Sequence, residues 1–195
     1  MIRLFTALCK TISDILIDED AFGEATDGFK HYNERCPNCG ALGKLSPYGD
    51  YKRWLVSIGG GGVVANLISP LRFECGSCGT THALLPDILV PYSPYSLRFK
   101  LTVLIAYYER DSTVVAVCES FGIAVSTIYE WKKLFESHKR LLLGIMFDMK
   151  EPVLAFLKGL LGDTCLSARF EGFFRRYAVS FMQAQSMQAT DSLPP

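Results

Sequence analysis

The chemistry of this chain is concentrated in two short turns, Cys36-Pro37-Asn38-Cys39-Gly40 and Cys75-Gly76-Ser77-Cys78-Gly79. In a CxxC-Gly turn, small residues let backbone amides fold toward the sulfurs, so both thiolates point at one place. Two such turns supply four thiolates, the complement of a tetrahedral structural zinc ion at about 2.3 Å per bond. A shell of Cys36, Cys39, Cys75 and Cys78 leaves no open position for water, so Zn2+ there would hold a fold and not catalyse. A disulfide pair and a redox CxxC are the competing readings. A lone redox pair needs no second copy, and no βαβ pattern surrounds either turn. His82, four residues after Cys78, is an alternative ligand, but four cysteines already close the shell.

The elements that must position these turns read as strands. Between the pairs, residues 51–58 alternate, with Trp54, Val56 and Ile58 on one face and Arg53 and Ser57 on the other. Gly59 to Gly62 make a hairpin turn, with no Lys-Ser/Thr pair to make them a phosphate loop. Residues 63–68 return as a second β-branched run, and 71–73 lead into the second cysteine turn. The expectation is a three-stranded antiparallel sheet clamped at one end by metal. Three prolines within residues 86–94 then give an extended connector.

Helical periodicity takes over beyond it. Residues 96–110 place Leu97, Leu101, Leu104, Ile105 and Tyr108 on one face. A shorter helix over 111–121 has Asp111 or Ser112 as its N-cap and ends at Gly122, and a third spans 125–143. A small residue at Cys118, the turn glycine Gly122 and the apolar anchor Ile128 have helix-turn-helix spacing. That packing leaves Ser126, Thr127, Tyr129, Glu130, Lys132 and Lys133 on the outer face of the third helix. An ordinary three-helix unit would use the same periodicity.

These segments together resemble the N-terminal region of bacterial insertion-sequence transposases, where a zinc ribbon precedes a helix-turn-helix. They also resemble short uncharacterised bacterial proteins built from that region alone. The resemblance rests on CPNCG, on Tyr48-Gly49-Asp50-Tyr51-Lys52-Arg53, on Leu71 to Cys78, on the proline-rich link and on Gly122 to Trp131, within residues 33–143. It implies binding of double-stranded DNA, such as the ends of a mobile element. The ribbon would meet the backbone through Lys52, Arg53 and Arg72, and the third helix would enter the major groove. Ala124 at the cap position and Glu130 beside Trp131 depart from that family's pattern. In the transposases a catalytic domain follows; the some 50 residues after Leu143 are expected to be too few to hold one.

Those residues do not look like an enzyme. Asp148, Glu151, Asp163, Glu171 and Asp191 lie in helical patterns, where no sheet gathers them for two-metal chemistry, and His31, His82 and His138 have no evident nucleophile partner. Residues 152–161 form a short apolar helix; Phe170, Phe173, Phe174 and Tyr177 interleave with arginines.

The 195 residues carry no net charge, but residues 93–145 hold seven basic and five acidic side chains, against three and six in 1–30. The region expected to touch DNA is thus only mildly positive, and local contacts must carry the binding. Cys9, Cys118 and Cys165 sit alone among apolar neighbours, as reduced thiols do. No apolar run approaches the ~20 residues of a membrane span. The expected whole is an α+β, cytoplasmic, nucleoid-associated protein. Its parts are an amphipathic helix (3–17) and acidic link within 1–30, a zinc ribbon (31–92), a helix-turn-helix (93–145), C-terminal helices (146–182) and a disordered tail (183–195). Partners would be DNA, a second copy of the chain as a homo-oligomer, or a separate transposase or recombinase. The alternative is a protein-interaction module that docks through the ribbon.

Overall fold

The computed structural model describes residues 2–4, 26, 29–87, 89–144, 151–162 and 166–184. It is an α+β chain: a sheet carrying the cysteine turns, a separate hairpin, and a helical layer against which the hairpin packs. The strands are β1 (Ile2–Leu4), β2 (Leu45–Asp50), β3 (Arg53–Gly59), β4 (Gly62–Ile68), β5 (Leu71–Cys75) and β6 (Thr81–Pro86).

Three antiparallel strands do form the ribbon sheet, but they are β2, β5 and β6, and β1 extends it in parallel as Ile2 pairs with Leu84. The expected hairpin of β3 and β4 stands apart as its own two-stranded sheet. Pairing between distant strands decides this, and alternation along one strand does not report it. β2 is disguised by Pro47 and Gly49, where the register slips. β6 is disguised by ending on Pro86, a residue with no N–H to donate to the ladder. Ile2, Leu45, Phe73 and Leu84 bury together with Cys36 and Cys75, and the Phe29 and His31 rings pack on Phe73 at 5.3 and 5.4 Å.

The hairpin turns tightly through Gly60 and Gly61 at φ 57° and 83°, values a two-residue turn of the right twist requires. Both faces of β3 are covered, and Trp54 alone stands out from them. Leu55 and Ser57 are buried, whereas Trp54 is 59% exposed. Val56 and Ile58 pack on the helical core. The proline-rich segment is extended and tied down: Val56 donates its N–H to Pro94 (2.7 Å), and Ser96 donates back to Val56 (2.9 Å).

The helices are α1 (Leu97–Glu109), α2 (Val114–Phe121), α3 (Val125–Leu143), α4 (Val153–Gly162) and α5 (Leu166–Tyr177). Ser96 caps α1 by accepting from Phe99 N–H at 3.1 Å. Thr113 caps α2, accepting from Ala116 N–H, in place of Asp111 or Ser112, so the helix starts later than its composition implies. Gly122 ends α2 in the left-handed region at φ 64°. Ala124 precedes α3 with no side-chain cap. Phe99, Leu104, Ile128, Phe135 and Leu157 are the centre of the shared core, and Cys118 is buried within it as a free thiol.

Two expectations at the termini change. Ile2–Leu4 is a strand where the helix over 3–17 was to begin; the rest of that helix, with Cys9, lies outside the described residues. So do Cys165 and residues 185–195 of the expected tail. Gln183, however, is buried, because the turn at 180–183 plugs into the core. Met182, at φ 62°, donates its N–H to His138 Nδ1 (3.0 Å), and Lys100 Nζ donates to its carbonyl (3.2 Å).

His138 must be neutral to accept that bond. Burial, then the Lys100 charge, pushes its pKa down to about 4 from 6.5. Below pH 6.5 the unfolded chain binds a proton that the folded chain refuses. Stability is therefore full above pH 6.5 and declines as pH falls toward 4, by about 2–3 kcal/mol from this residue. Urea melts at pH 7.5 and 5 should show a shallower pH dependence for His138→Gln than for wild type. Equal slopes would remove His138 from the acid response.

Candidate metal centre and nucleic-acid face

Each cysteine turn is built the same way. The first cysteine's carbonyl accepts the N–H of the closing glycine, Gly40 to Cys36 at 2.9 Å and Gly79 to Cys75 at 2.8 Å. Both glycines take positive φ, 74° and 66°, which a side chain would resist. The N–H of Cys36 and Cys75 return to the carbonyls of Ala41 (2.9 Å) and Thr80 (3.0 Å). Pairing of Leu45 with Cys75 then sets the two turns side by side.

The four sulfurs meet. All lie within 4.8 Å of one another, with Cys36–Cys78 and Cys39–Cys75 at 3.7 Å. Sulfurs about 2.3 Å from a central tetrahedral ion stand about 3.8 Å apart. The four cysteines are free thiols, with Cys36 and Cys75 buried and Cys39 and Cys78 toward the surface. They can hold a metal ion.

The electrostatics fit a cation. Burial opposes ionisation of Cys36, but backbone amides of Cys39 and Asn38 outweigh it and hold its pKa below the usual thiol value. Cys78 is drawn down to about 6 by the Thr80 hydroxyl and backbone N–H, then by the Asn38 amide. The Ala41 amide favours the Cys39 thiolate, but burial and the neighbouring sulfurs outweigh it and push Cys39 up to about 12. Thiolates crowded this way repel, and a dication among them removes that repulsion.

His82 stands outside the four-sulfur cluster. It is buried on β6 with Nε2 3.3 Å from Cys36 Sγ, and burial holds its pKa below the usual value. With its proton on Nε2 the ring donates to the thiolate, the arrangement that orients a metal ligand from outside the shell. Its spacing from Cys78 was the available signal. Asn38 gave none, although its amide reaches both Cys78 Sγ (3.6 Å) and Thr80 Oγ1 (3.1 Å).

The residues expected to touch DNA fall into two groups. Lys52 is exposed between β2 and β3, Arg53 starts β3 and donates to the Ser93 carbonyl, and Arg72 lies on β5 over the rings of Tyr48 and Tyr51 at 5.3 and 5.9 Å. The second group occupies the first turns of α3, where Ser126, Tyr129, Glu130 and Lys133 are exposed and Thr127 and Lys132 are half-buried. Lys132 pairs with Glu136 at 3.3 Å, and Tyr129 meets Tyr107 edge-on. α2 and α3 turn through 100° about Gly122, with Cys118, Ile128 and Trp131 buried at their crossing.

Residues 36–131 match a domain of unknown function, DUF6431. The DUF6431 region opens on the first cysteine of the metal centre and closes on Trp131. It therefore holds both cysteine turns, the hairpin, α1, α2 and the leading turns of α3. No curated protein and no solved structure matches the chain. No helix among the described residues is long and apolar enough to cross a membrane.

Proposed function

We propose that the chain is a non-catalytic, zinc-containing DNA-binding protein of mobile-element type. In it α2, Gly122 and α3 act as a helix-turn-helix on double-stranded DNA. The observation that carries this reading is the 100° turn between α2 and α3, within the ~90–120° range of that motif. The packing leaves Ser126, Tyr129 and Lys133 exposed at the leading end of α3. Hydroxyls there reach base edges or phosphates, and Lys133 meets the backbone. Zinc is the metal that a closed four-thiolate shell of this size favours. Its role is to fix the ribbon sheet, whose β5 carries Arg72 and whose β2 leads into Lys52 and Arg53. The resemblance to insertion-sequence transposases supports the same reading, with any catalysis left to a separate recombinase.

One observation favours a protein-interaction module instead. Lys132 is engaged by Glu136, and Glu130 is exposed on the same helix, so the α3 face is only weakly basic. Selection from a random duplex pool by zinc-loaded protein at near-physiological salt separates the readings. An enriched motif that chelation abolishes supports DNA recognition; no binding even at low salt supports the interaction module. Lys132→Ala with Lys133→Ala should weaken binding to every sequence and lower the slope of log K against log salt by about 1–2. Lys133 should account for most of that change, since Lys132 is already paired. An unchanged slope would take both lysines out of the interface.

A further inference from the structure

A cleft of about 610 Å³ opens between the hairpin, the ribbon sheet and the proline-rich connector, away from the sulfurs and from α3. Tyr51, Trp54 and Tyr92 line it, with Pro91 and Pro94 as stiff walls and Arg53 as the charged side chain. Among the described residues that line it there is no carboxylate. Two of the aromatics are unusually open: Trp54 is 59% and Tyr92 82% exposed. Tyr92 is also held at φ 59°, a conformation that costs a non-glycine residue free energy and that recurs where a ligand is gripped. Behind Tyr51 the Arg72 guanidinium lies over the ring, adding positive charge. Large, exposed, rigid π-faces beside guanidinium groups, without acidic side chains, select a flat ligand that carries negative charge.

We propose that this cleft binds a segment of single-stranded DNA, stacking one or two unpaired bases on Trp54 and Tyr92 and meeting the adjoining phosphate with Arg53. Stacking is tolerant of sequence, because every base presents a π-face, whereas the phosphate contact is sensitive to salt. The inference shares DNA as ligand with the reading of α3 but uses different residues and a different form of the polymer. A proline-rich peptide would also lie against aromatic rings, but it brings no anion to Arg53, whose guanidinium has N–H groups to offer beyond the one given to Ser93.

The test is fluorescence titration of the full zinc-loaded chain with a dT oligonucleotide, with a blunt duplex and with a proline-rich peptide. Of the two tryptophans, Trp54 is exposed and Trp131 buried, so stacking at the cleft quenches Trp54 emission. Trp54→Ala should abolish the quench. In an anisotropy assay Trp54→Ala and Tyr92→Gly should each weaken dT binding by about five- to a hundredfold, and leave duplex affinity unchanged. Tyr92→Gly relieves the backbone strain, so its melting temperature should be equal or higher, which separates lost binding from lost folding. Duplex binding without dT binding overturns this proposal and leaves α3 as the DNA reader. dT binding without duplex binding supports the cleft and sinks the α3 reading. Quenching by the peptide alone, or dT affinity indifferent to both variants, also overturns it.

Discussion

Cys36→Ser should leave the ribbon sheet unfolded and the protein without bound metal. Cys36 does three jobs at once: it offers a sulfur 3.7 Å from Cys78, accepts the Gly40 N–H on its carbonyl, and fills part of the sheet's small core. That core holds few large side chains, and structural zinc sites contribute on the order of 10 kcal/mol to folding, more than so small a core supplies alone. Serine keeps the shape but loses the thiolate, so three ligands remain and the repulsion among them is relieved less well. The expected result is about one zinc per chain in wild type by elemental analysis and little in the variant. Resonances of β2, β5 and β6 should collapse to random-coil positions in the variant, and in wild type after strong chelation. A variant that keeps dispersed sheet resonances with no metal would overturn the structural role of the centre.

The second large effect lies at the other end of the chain. Phe181→Ala should cost about 3–5 kcal/mol, a large share of the 5–15 kcal/mol that holds a typical domain. Phe181 is 2% exposed and meets the rings of Phe170, Phe173, His138 and Phe135 at 4.9, 5.5, 5.7 and 6.2 Å. Removing it leaves a cavity between α3 and α5 that the surrounding aromatics are too rigid to fill. It also loosens the turn through which Met182 reaches His138 and Lys100. Urea denaturation followed by circular dichroism should show a midpoint well below wild type. A loss under about 1 kcal/mol would mean that the turn rests on the core without supporting it.

What the sequence made legible follows physical range. The cysteine turns are local: spacing and glycine fix their geometry, and both closing glycines take positive φ. The helix ends at Ser96, Gly122 and Gly144 are local too, and α3 runs over the residues its periodicity indicated. Sheet membership is not local. Residues 45–50, broken by Pro47 and Gly49, join the ribbon because Cys75 must come beside Leu45, while the cleaner alternation of 53–58 forms a hairpin elsewhere. The same limit hid Asn38, and it hid the role though not the presence of His82, since each acts on a sulfur 40 or 46 residues away in the chain. It hid the buried turn at 180–183 as well, since capture by His138 and Lys100 leaves no periodic trace.

The seam between hairpin and helices has a practical consequence for anyone who would cut this chain. By sequence, the proline-rich stretch looks like the natural place to separate a ribbon from a helical unit and graft either onto another protein. In space, Val56 is hydrogen-bonded across that stretch at both its N–H and its carbonyl, and Tyr95 stacks on Phe99 at 5.2 Å and meets Trp131 edge-on at 5.0 Å. A fragment starting after the connector would lose the strand that roofs its core, and expose Phe99 and Trp131 to water. The portable unit begins upstream of the hairpin, so the two halves must be inherited, exchanged or engineered together.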